Sequence, residues 1–422
     1  MNLPIGFAEQ SRALLGEEEY KGLVAALAKE APVSIRLNPF KRDKVSPSLN
    51  METFESVPWC SQGYYLDQRL SFTFDPLFHA GCYYVQEASS MFLEQVMRQF
   101  VVDPVCMLDL CAAPGGKTTL MRSLSPDGSL LVANEVIRNR SQVLVENVIK
   151  WGHPDVVVTR NDPADFKGLE GFFDVILADV PCSGEGMFRK DPGAISAWSP
   201  ENVEVCWRRQ RRILADGWPC LKPGGLLIYS TCTYNIKENE ENVYWMMEEF
   251  GAEALRVDVP VEWNVTGNLF NDAFPVYRFL PHKTKGEGFF LAVLRKEGGK
   301  PSGCSGNREA ILHKRLRVIK PSGVEPGTQK GKDILPSHAR AMSSTLPSGL
   351  YPACELTYEQ AIAYLRKEAI VLDASVPRGY VLVTYRSIPL GFVKNVCDRA
   401  NNLYPRDWRI RGMVLPDGIR VL

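Results

Sequence analysis

From Pro104 onward the chain repeats one pattern, in which a short apolar run is followed by a loop and then by a helical spacing of apolar residues. Runs typical of strands buried on both faces occupy residues 105–110, 130–134, 155–159, 172–178 and 225–231. Two further strands are predicted near 275–280 and at 288–294. This alternation predicts a doubly wound α/β fold with a mostly parallel sheet, which carries its chemistry at the carboxyl ends of the strands.

The 422 residues are too many for one hydrophobic core, and their composition changes along the chain. Residues 1–80 combine helical spacing with a short alternating strand and predict a small α+β domain, while residues 81–298 carry the sheet. Gly, Ser, Pro and Lys are frequent between 299 and 345, which we interpret as a linker with a basic helical piece at 311–318. Residues 346–422 predict a compact C-terminal module with one helix and two β-rich runs.

With 45% apolar residues the chain is globular, and no run reaches the ~18 apolar residues of a membrane span. The first residues lack the basic and apolar segments of a secretory signal, so we expect a cytoplasmic protein with no membrane partner. Eleven cysteines without C-x-x-C spacing predict reduced thiols and no zinc site. We therefore expect no bound metal, and we expect the chain to act as a monomer.

The formal charge is zero, but the basic residues are concentrated toward the end of the chain. Residues 300–422 hold 19 Lys and Arg against 10 Asp and Glu, whereas residues 1–299 hold 30 against 39. This asymmetry indicates that the last third meets a polyanion such as RNA. A basic tail that only faces solvent is an equally good interpretation of the charge alone.

A loop of small residues follows the first strand of the sheet. Residues 106–110 run directly into 111–118, CAAPGGKT, where paired glycines let the backbone approach a ligand closely. The ending Gly-Lys-Thr resembles a phosphate-binding P-loop, but that motif needs glycine where Cys111 stands. We therefore exclude a nucleoside triphosphate and keep a ligand site of another kind.

Acids follow the next strands at the same predicted edge: Glu135, Asp162 and Asp179. An acid after the second strand suits ribose hydroxyls, and Asn161 with Asp162 could accept from an adenine amino group. Each acid alone is more often a solvated loop residue. Together they suit an adenosine-containing cofactor, and S-adenosyl-L-methionine fits better than NAD because the G-x-G-x-x-G fingerprint is missing.

Two thiols occupy loops at this edge. Cys182 lies in 178–184, ADVPCSG, after the fourth strand, and Cys232 lies 50 residues on, after the fifth. Neighbouring strand ends are about 4.8 Å apart, so the two thiols could form one reaction centre. The alternative is that a cysteine here is a small buried hydrophobe, an interpretation that we prefer for Cys60, Cys82, Cys106, Cys206, Cys220, Cys304, Cys354 and Cys397. Cys111 is ambiguous and more easily explained by its small size.

Three of these segments resemble a known family. Residues 109–118, the Asp-x-Pro-Cys-Ser-Gly run and 230–233, STCT, resemble the RNA cytosine 5-methyltransferases. Residues 184–192, GEGMFRKDP, are most similar to the RsmF/YebU branch that acts on 16S ribosomal RNA. The resemblance covers 80–295 and implies a Rossmann-like seven-stranded methyltransferase sheet. It also implies an N-terminal RNA-binding domain and a PUA-like C-terminal domain.

The resemblance assigns roles to individual residues. It implies Cys232 as nucleophile, Cys182 as the thiol that assists release, and Asp179 near ring nitrogen 3 of the cytosine. The implied cofactor contacts are Cys111, Ala112, Ala113, Pro114, Gly115, Gly116, Lys117, Glu135, Asp162 and Asp179. One departure is Val180, where the family usually has alanine, so the base pocket could be narrower here.

Several basic residues are candidates for RNA contacts. Arg208, Arg209, Arg211 and Arg212 share one predicted helix and could contact phosphates, although a solvated helix face explains them equally well. Residues Phe188, Arg189 and Lys190 follow the catalytic loop, where an aromatic ring can replace lost base stacking. Weaker candidates are Arg36 on the N-terminal strand and Arg406, Arg409 and Arg411 near the C-terminus.

The sequence therefore predicts S-adenosylmethionine-dependent methylation of cytosine carbon 5 in RNA, with 16S ribosomal RNA as the expected partner. A methyltransferase acting on an adenine amino group is disfavoured, because residues 179–182 lack the aromatic residue of its Asn/Asp-Pro-Pro-aromatic loop. Two alternatives stay open: a transfer RNA cytosine 5-methyltransferase, and a non-catalytic RNA-binding ribosome-assembly factor with a vestigial fold. The second would be indifferent to loss of Cys232.

Overall fold

A computed structural model describes residues 2–41, 54–270, 274–299, 308–331, 333–412 and 419–422. The helices are α1 Ile5–Leu15, α2 Glu17–Leu27, α3 Pro76–His79, α4 Leu93–Phe100, α5 Gly116–Leu124, α6 Arg138–Trp151, α7 Pro192–Ala197, α8 Pro200–Gly217, α9 Glu240–Phe250, α10 Arg308–Arg315, α11 His338–Met342 and α12 Tyr358–Leu365. The strands are β1 Val33–Leu37, β2 Gly63–Leu66, β3 Tyr83–Val85, β4 Cys106–Asp109, β5 Leu130–Asn134, β6 Val156–Thr159, β7 Phe173–Asp179, β8 Leu221–Thr231, β9 Glu253–Ala254, β10 Tyr277–Phe279, β11 Phe289–Arg295, β12 Val318–Lys320, β13 Gly327–Lys330, β14 Asp333–Pro336, β15 Ala353–Glu355, β16 Gly379–Tyr385, β17 Ile388–Asn395 and β18 Ala400–Asn402.

The central sheet has the order β10-β11-β8-β7-β4-β5-β6-β12, with β9 paired to β11. Strands β4 to β8 are parallel, and β10 and β11 are antiparallel to their neighbours. The seven strands predicted from the apolar runs are β4 to β8, β10 and β11, so the predicted sheet is present. The strand order reverses between β4 and β7, which is the switch point where such folds bind ligands.

Apolar side chains explain why these segments become buried strands. Every residue of β4 is buried, as are Phe173 to Ala178 of β7. One apolar cluster covers each face of the sheet, with helices packed outside, so both faces of the parallel strands are dry. The polar residues that end the strands are thereby held at fixed positions along one edge.

The segment 299–345 is more than the linker that its composition predicted. Leu312 of α10 and Leu316, just after it, pack into the core of the sheet, and β12 pairs antiparallel with β6. The two leucines are a single helical turn apart. Because Gly, Ser, Pro and Lys dominate the surrounding composition, these two apolar residues did not indicate a segment packed on the sheet. Strands β13 and β14 form a separate hairpin farther along.

The N-terminal and C-terminal parts form smaller sheets, ordered β2-β1-β3 and β15-β16-β17-β18. Their apolar faces contribute to one shared cluster, in which Ile35 and Leu77 pack with Val381 and Ile388. Among the residues that the structure describes, helices long and apolar enough to cross a bilayer are absent. The same residues contain no cluster of His, Cys, Asp or Glu side chains arranged for a metal ion.

Candidate active site

A cavity of about 980 Å³ opens at the carboxyl ends of β4, β7 and β8. It is lined in part by Cys111, Ala112, Ala113, Pro114, Gly116 and Lys117. Gly115 lies behind this lining, where its φ of 113° turns the chain into α5, a conformation that side chains disfavour. The carbonyls of Ala113 and Pro114 accept hydrogen bonds from Arg140 and Asn147 of α6, which hold the loop in place.

Asp109 ends β4 at the floor of the cavity. Its Oδ2 accepts a hydrogen bond of 2.6 Å from Thr118, whereas its Oδ1 is buried without a partner among the described residues. Burial raises the pKa of Asp109 to about 7, with a further contribution from the charge of Asp179. An unsatisfied buried acceptor facing a cavity suits a ligand that carries a hydroxyl or an ammonium group.

Asp179 and Lys117 form an ion pair inside the cavity, 2.9 Å from Oδ2 to Nζ. Ser230 donates to the other carboxylate oxygen at 2.7 Å. Although burial opposes the charge of Lys117, the Asp179 carboxylate and then Cys232 raise the pKa of the Lys117 ammonium. The pair therefore places a charged donor and a fixed carboxylate beside the two thiols.

The acids after β5 and β6 make contacts within the protein and are outside the described lining of the cavity. Glu135 accepts from the backbone of Ile137 and lies 3.4 Å from Arg140. Asp162 caps the turn that follows it and forms an ion pair with Arg212 at 3.2 Å. The structure thus brings Asp179 into the cavity, while cofactor contacts by Glu135 and Asp162 stay a prediction.

Cys182 and Cys232 come together as the register of β7 and β8 requires, since Asp179 lies opposite Ser230. Their sulfur atoms are 3.0 Å apart, both thiols are half-buried, and both line the cavity. The hydrogen bond with Cys232, followed by burial, raises the pKa of Cys182 well above its usual value. Cys182 therefore keeps its proton and can donate it to the sulfur of Cys232.

A buried polar network holds the two thiol loops, and the sequence argument missed it. The Glu238 carboxylate accepts from the Ser183 backbone at 3.0 Å and from Gln210 at 2.7 Å. Gln210 also donates to the Pro181 carbonyl at 3.0 Å, so both sides of Cys182 are fixed. Burial raises the pKa of Glu238. No pattern within the polar segment 233–242 marks Glu238, because its partners Ser183 and Gln210 belong to other elements.

Glu185 performs the matching task for the loop after β8. Its carboxylate, fully buried, accepts from the backbones of Tyr234 and Asn235 at 2.7 and 3.1 Å. Gly186 then passes so close that a Cβ would lie 2.5 Å from the Gly288 carbonyl. The segment that resembles the 16S branch therefore packs directly beneath Cys232.

Three residues predicted to contact RNA are engaged inside the protein. The Phe188 ring is 1% exposed and packs 5.0 Å from the Phe7 ring, so its predicted stacking on a base is wrong. Arg189 forms a buried ion pair with Glu287 at 3.0 Å. Arg36 is buried and donates to the Gly116 carbonyl at 3.1 Å, so it supports the cofactor loop. We predicted these side chains to be exposed, because the sequence does not show which segments of the chain pack over them.

The remaining basic candidates differ in accessibility. Lys190 lines the cavity, 3.6 Å from Glu287. Arg208 is exposed and pairs with Glu204, whereas Arg211 stacks on Trp207 at 4.2 Å and is half-buried. Arg209, Arg212, Arg406 and Arg411 are exposed, and Arg409 is half-buried.

The other cysteines largely follow the expectation of small buried side chains. Cys60, Cys82, Cys106, Cys206 and Cys220 are buried. Cys354 is half-buried and Cys397 is exposed in a turn after β17, so the expectation is wrong for Cys397. Cys304 lies outside the described residues.

Comparison with known proteins identifies the family. A model described as 16S rRNA methyltransferase RsmB/F matches residues 101–295, and models of the RsmF N-terminal domain and the RsmF PUA domain match 3–88 and 351–410. Ribosomal RNA small subunit methyltransferase F of Aliivibrio fischeri is 31% identical over 447 residues, covering 91% of this chain and 92% of that protein. The chain belongs to the RsmB/F family.

Other similar proteins match over shorter stretches. The methyltransferase F of Serratia proteamaculans is 34% identical over 316 residues, which cover 71% of this chain and 64% of that protein. A solved methyltransferase homolog from Pyrococcus horikoshii is 30% identical with a TM-score of 0.59, covering 69% of this chain and 94% of that one. Membership of the RsmB/F family confirms the predicted methyltransferase fold, the two flanking domains and S-adenosylmethionine as the family's cofactor.

Proposed function

We propose that the chain methylates carbon 5 of a cytosine in RNA through a covalent cysteine adduct. The observation that carries this proposal is the pair of thiols 3.0 Å apart beside the Asp179–Lys117 ion pair, all lining one cavity. A methyltransferase that acts on an amino group needs no thiol, so neither Cys182 nor Cys232 would have a chemical role in such an enzyme. An RNA-binding factor without activity would not need either one.

The proposed reaction begins when the Cys232 thiolate bonds to carbon 6 of the cytosine. The electron pair of the 5,6 double bond moves toward ring nitrogen 3, where a proton held at the Asp179–Lys117 pair stabilises the developing charge. Carbon 5 becomes nucleophilic and takes the methyl group. A base then removes the proton of carbon 5, the bond between Cys232 and carbon 6 breaks, and the double bond returns. We assign assistance of this release to Cys182, whose retained proton passes to the departing sulfur of Cys232, 3.0 Å away, while the proton on ring nitrogen 3 returns to the Asp179–Lys117 pair.

S-adenosyl-L-methionine supplies the methyl group when bound. The buried Oδ1 of Asp109, which has no partner within the described chain, fits its amino or hydroxyl groups. The lining residues of the loop 111–117 would hold it. Glu135 and Asp162 are the proposed contacts for ribose and adenine.

The proposed substrate is 16S ribosomal RNA, because the matched relatives are named for the ribosomal small subunit. The PUA domain and the basic charge of residues 300–422 support an RNA partner. We further propose that the protein acts in the cytoplasm as a monomer, with no metal and no membrane. Bisulfite sequencing of total RNA with and without the gene identifies the modified cytosine and separates ribosomal from transfer RNA.

The two thiols should produce different kinds of failure. Cys182→Ala should add to the base and transfer methyl but release slowly, so a covalent protein–RNA adduct accumulates and survives denaturing electrophoresis. Cys232→Ala should form neither adduct nor product, while calorimetry should find S-adenosylmethionine binding within about twofold of the wild type.

Matched controls make the result specific. Cys397→Ala removes an exposed thiol remote from the cavity and should behave as the wild type. An adduct with Cys232→Ala but none with Cys182→Ala would exchange the two roles. Methylation retained in both variants without any adduct would exclude the covalent mechanism.

A further inference from the structure

Three arginines meet at the carboxyl edge of the sheet, away from the thiols. Arg138 begins α6 just after β5, Arg160 directly follows β6, and Arg317 directly precedes β12. The backbone N–H of Arg160 donates to the carbonyl of Arg317 at 3.0 Å. Because Asn134 and Val318 both lie opposite Thr159, the three arginines occupy adjacent strand ends.

Their charges are not neutralised within the described part of the chain, where none of the three guanidinium groups has a hydrogen bond or ion pair. Desolvation and then the positive charges of Arg317 and Arg138 lower the pKa of Arg160. Other arginines at this edge are paired, as Arg212 is with Asp162 and Arg140 with Glu135. Like charges on neighbouring strands are unfavourable, so this arrangement favours a polyanion.

We propose that Arg138, Arg160 and Arg317 form a phosphate-binding surface for RNA, separate from the catalytic cavity. The proposal rests on the proposed function in taking RNA as the polyanion. From the β7–β8 boundary to the β6–β12 boundary there are four strand spacings, or about 19 Å. The surface therefore contacts nucleotides that flank the target cytosine and not the target itself.

The proposal also gives a function to the segment that follows the methyltransferase domain. Leu312 and Leu316 anchor α10 in the core, and β12 fixes Arg317 beside Arg160. The family model for the methyltransferase domain ends at 295, so this third arginine is supplied from outside it. The segment is then a rigid RNA-binding element of the sheet.

The test measures RNA binding by the full chain at several salt concentrations, with transcribed 16S ribosomal RNA and an unrelated RNA of equal length as probes. Each lost phosphate contact lowers the slope of log K against log salt by about 0.7 to 0.9. In the triple variant Arg138→Gln, Arg160→Gln, Arg317→Gln, the magnitude of this slope should therefore fall by about 2 to 3. In Arg317→Gln alone it should fall by about 1. Both probes should be affected, since phosphates carry no sequence.

The control is Arg256→Gln, an exposed arginine beside β9 at the other end of the sheet, which should leave the slope unchanged. Equal S-adenosylmethionine affinity and melting temperature in all variants show that the fold is intact. A triple variant with wild-type affinity and slope overturns the proposal, as does a loss confined to S-adenosylmethionine binding. Methyl transfer is measured separately, so a wild type that binds RNA through these arginines without methylating it would overturn only the proposed function.

Discussion

At the scale of single residues, burial of Asp109 in the fold opposes the ionisation of its carboxyl group. Its carboxyl is fully enclosed, and its pKa of about 7 lies well above the ~3.9 of an unfolded aspartate. The folded state therefore binds the proton more tightly than the unfolded state. The stabilising protonated form is fully present below pH ~4, and stability is lost as the pH rises toward 7.

Asp109→Asn should remove this pH dependence, because the amide cannot titrate and its oxygen can still accept from Thr118. In urea unfolding without cofactor, the free energy of unfolding of the wild type should fall by about 1 to 4 kcal/mol relative to that of the variant between pH 4.5 and 8. Asp127→Asn changes an exposed acid and should leave the wild-type profile unaltered. If the free energy of unfolding changed with pH in the same way in the wild type and in Asp109→Asn, Asp109 would ionise as in an unfolded chain.

At residue scale, the sequence predicted that Cys182, Cys232 and Asp179 share one edge of the sheet, because loops at strand ends have a fixed place in a parallel sheet. Their roles, and the contact by Lys117, were implied by the family resemblance and stay predictions. Glu238 and Gln210 were missed, because the hydrogen bonds that join them to each other and to the Cys182 loop span 28 or more residues and no local pattern marks them. Phe188 was misplaced for the same reason, since the ring that covers it comes from α1.

At the scale of elements, the loops after β7 and β8 act as one unit. Glu238 receives hydrogen bonds from Ser183, Gln210 and Asn235, which belong to the β7 loop, α8 and the β8 loop. The 3.0 Å separation of the thiols therefore depends on a carboxylate that touches neither of them. Glu238 is a positioning residue.

Glu238→Ala should remove the acceptor that Ser183, Gln210 and Asn235 share and leave the Ser183 N–H unpaired, at a cost of about 1 to 3 kcal/mol in stability. Because the thiol loops lose their fixed geometry, kcat should fall by about 10-fold or more, while the KM for S-adenosylmethionine stays within about threefold. Glu238→Gln retains one acceptor oxygen and should recover part of kcat. Kinetics alongside thermal melting separate positioning from stability, and Glu248→Ala, exposed on α9, is the control. A kcat unchanged in Glu238→Ala would contradict the role.

Seven of the nine strands of the central sheet could be predicted from the sequence, because they have apolar runs, whereas β9 and β12 could not. Strand β12 has three half-buried residues and lies at the sheet edge, where it pairs with a single neighbour. The apolar side chains that anchor this segment in the core are Leu312 and Leu316, which precede the strand. The residue pattern within β12 itself therefore did not predict a strand.

At the scale of the whole molecule, the N-terminal and C-terminal parts are joined by a common core. Tyr358 donates to the Phe74 carbonyl at 2.9 Å, and the backbone of Leu422 donates to the buried Asp75 carboxylate at 3.1 Å. Around these bonds, apolar side chains of both parts pack in one cluster. The domains predicted along the sequence are therefore not independent in stability.

Deleting residues 346–422 should therefore destabilise the remainder, although none of those that the structure describes, 346–412 and 419–422, lines the cavity. The N-terminal sheet would lose its apolar cover, and Arg36 on β1, which braces the Gly116 carbonyl, would lose its fixed position. We expect a lower melting temperature, increased binding of a hydrophobic dye, and S-adenosylmethionine affinity reduced by about 3-fold to 30-fold. Cys397→Ala in the intact chain controls for surface changes in the same module. A truncated protein that melts and binds cofactor as the full chain does would instead mean that the two ends fold separately.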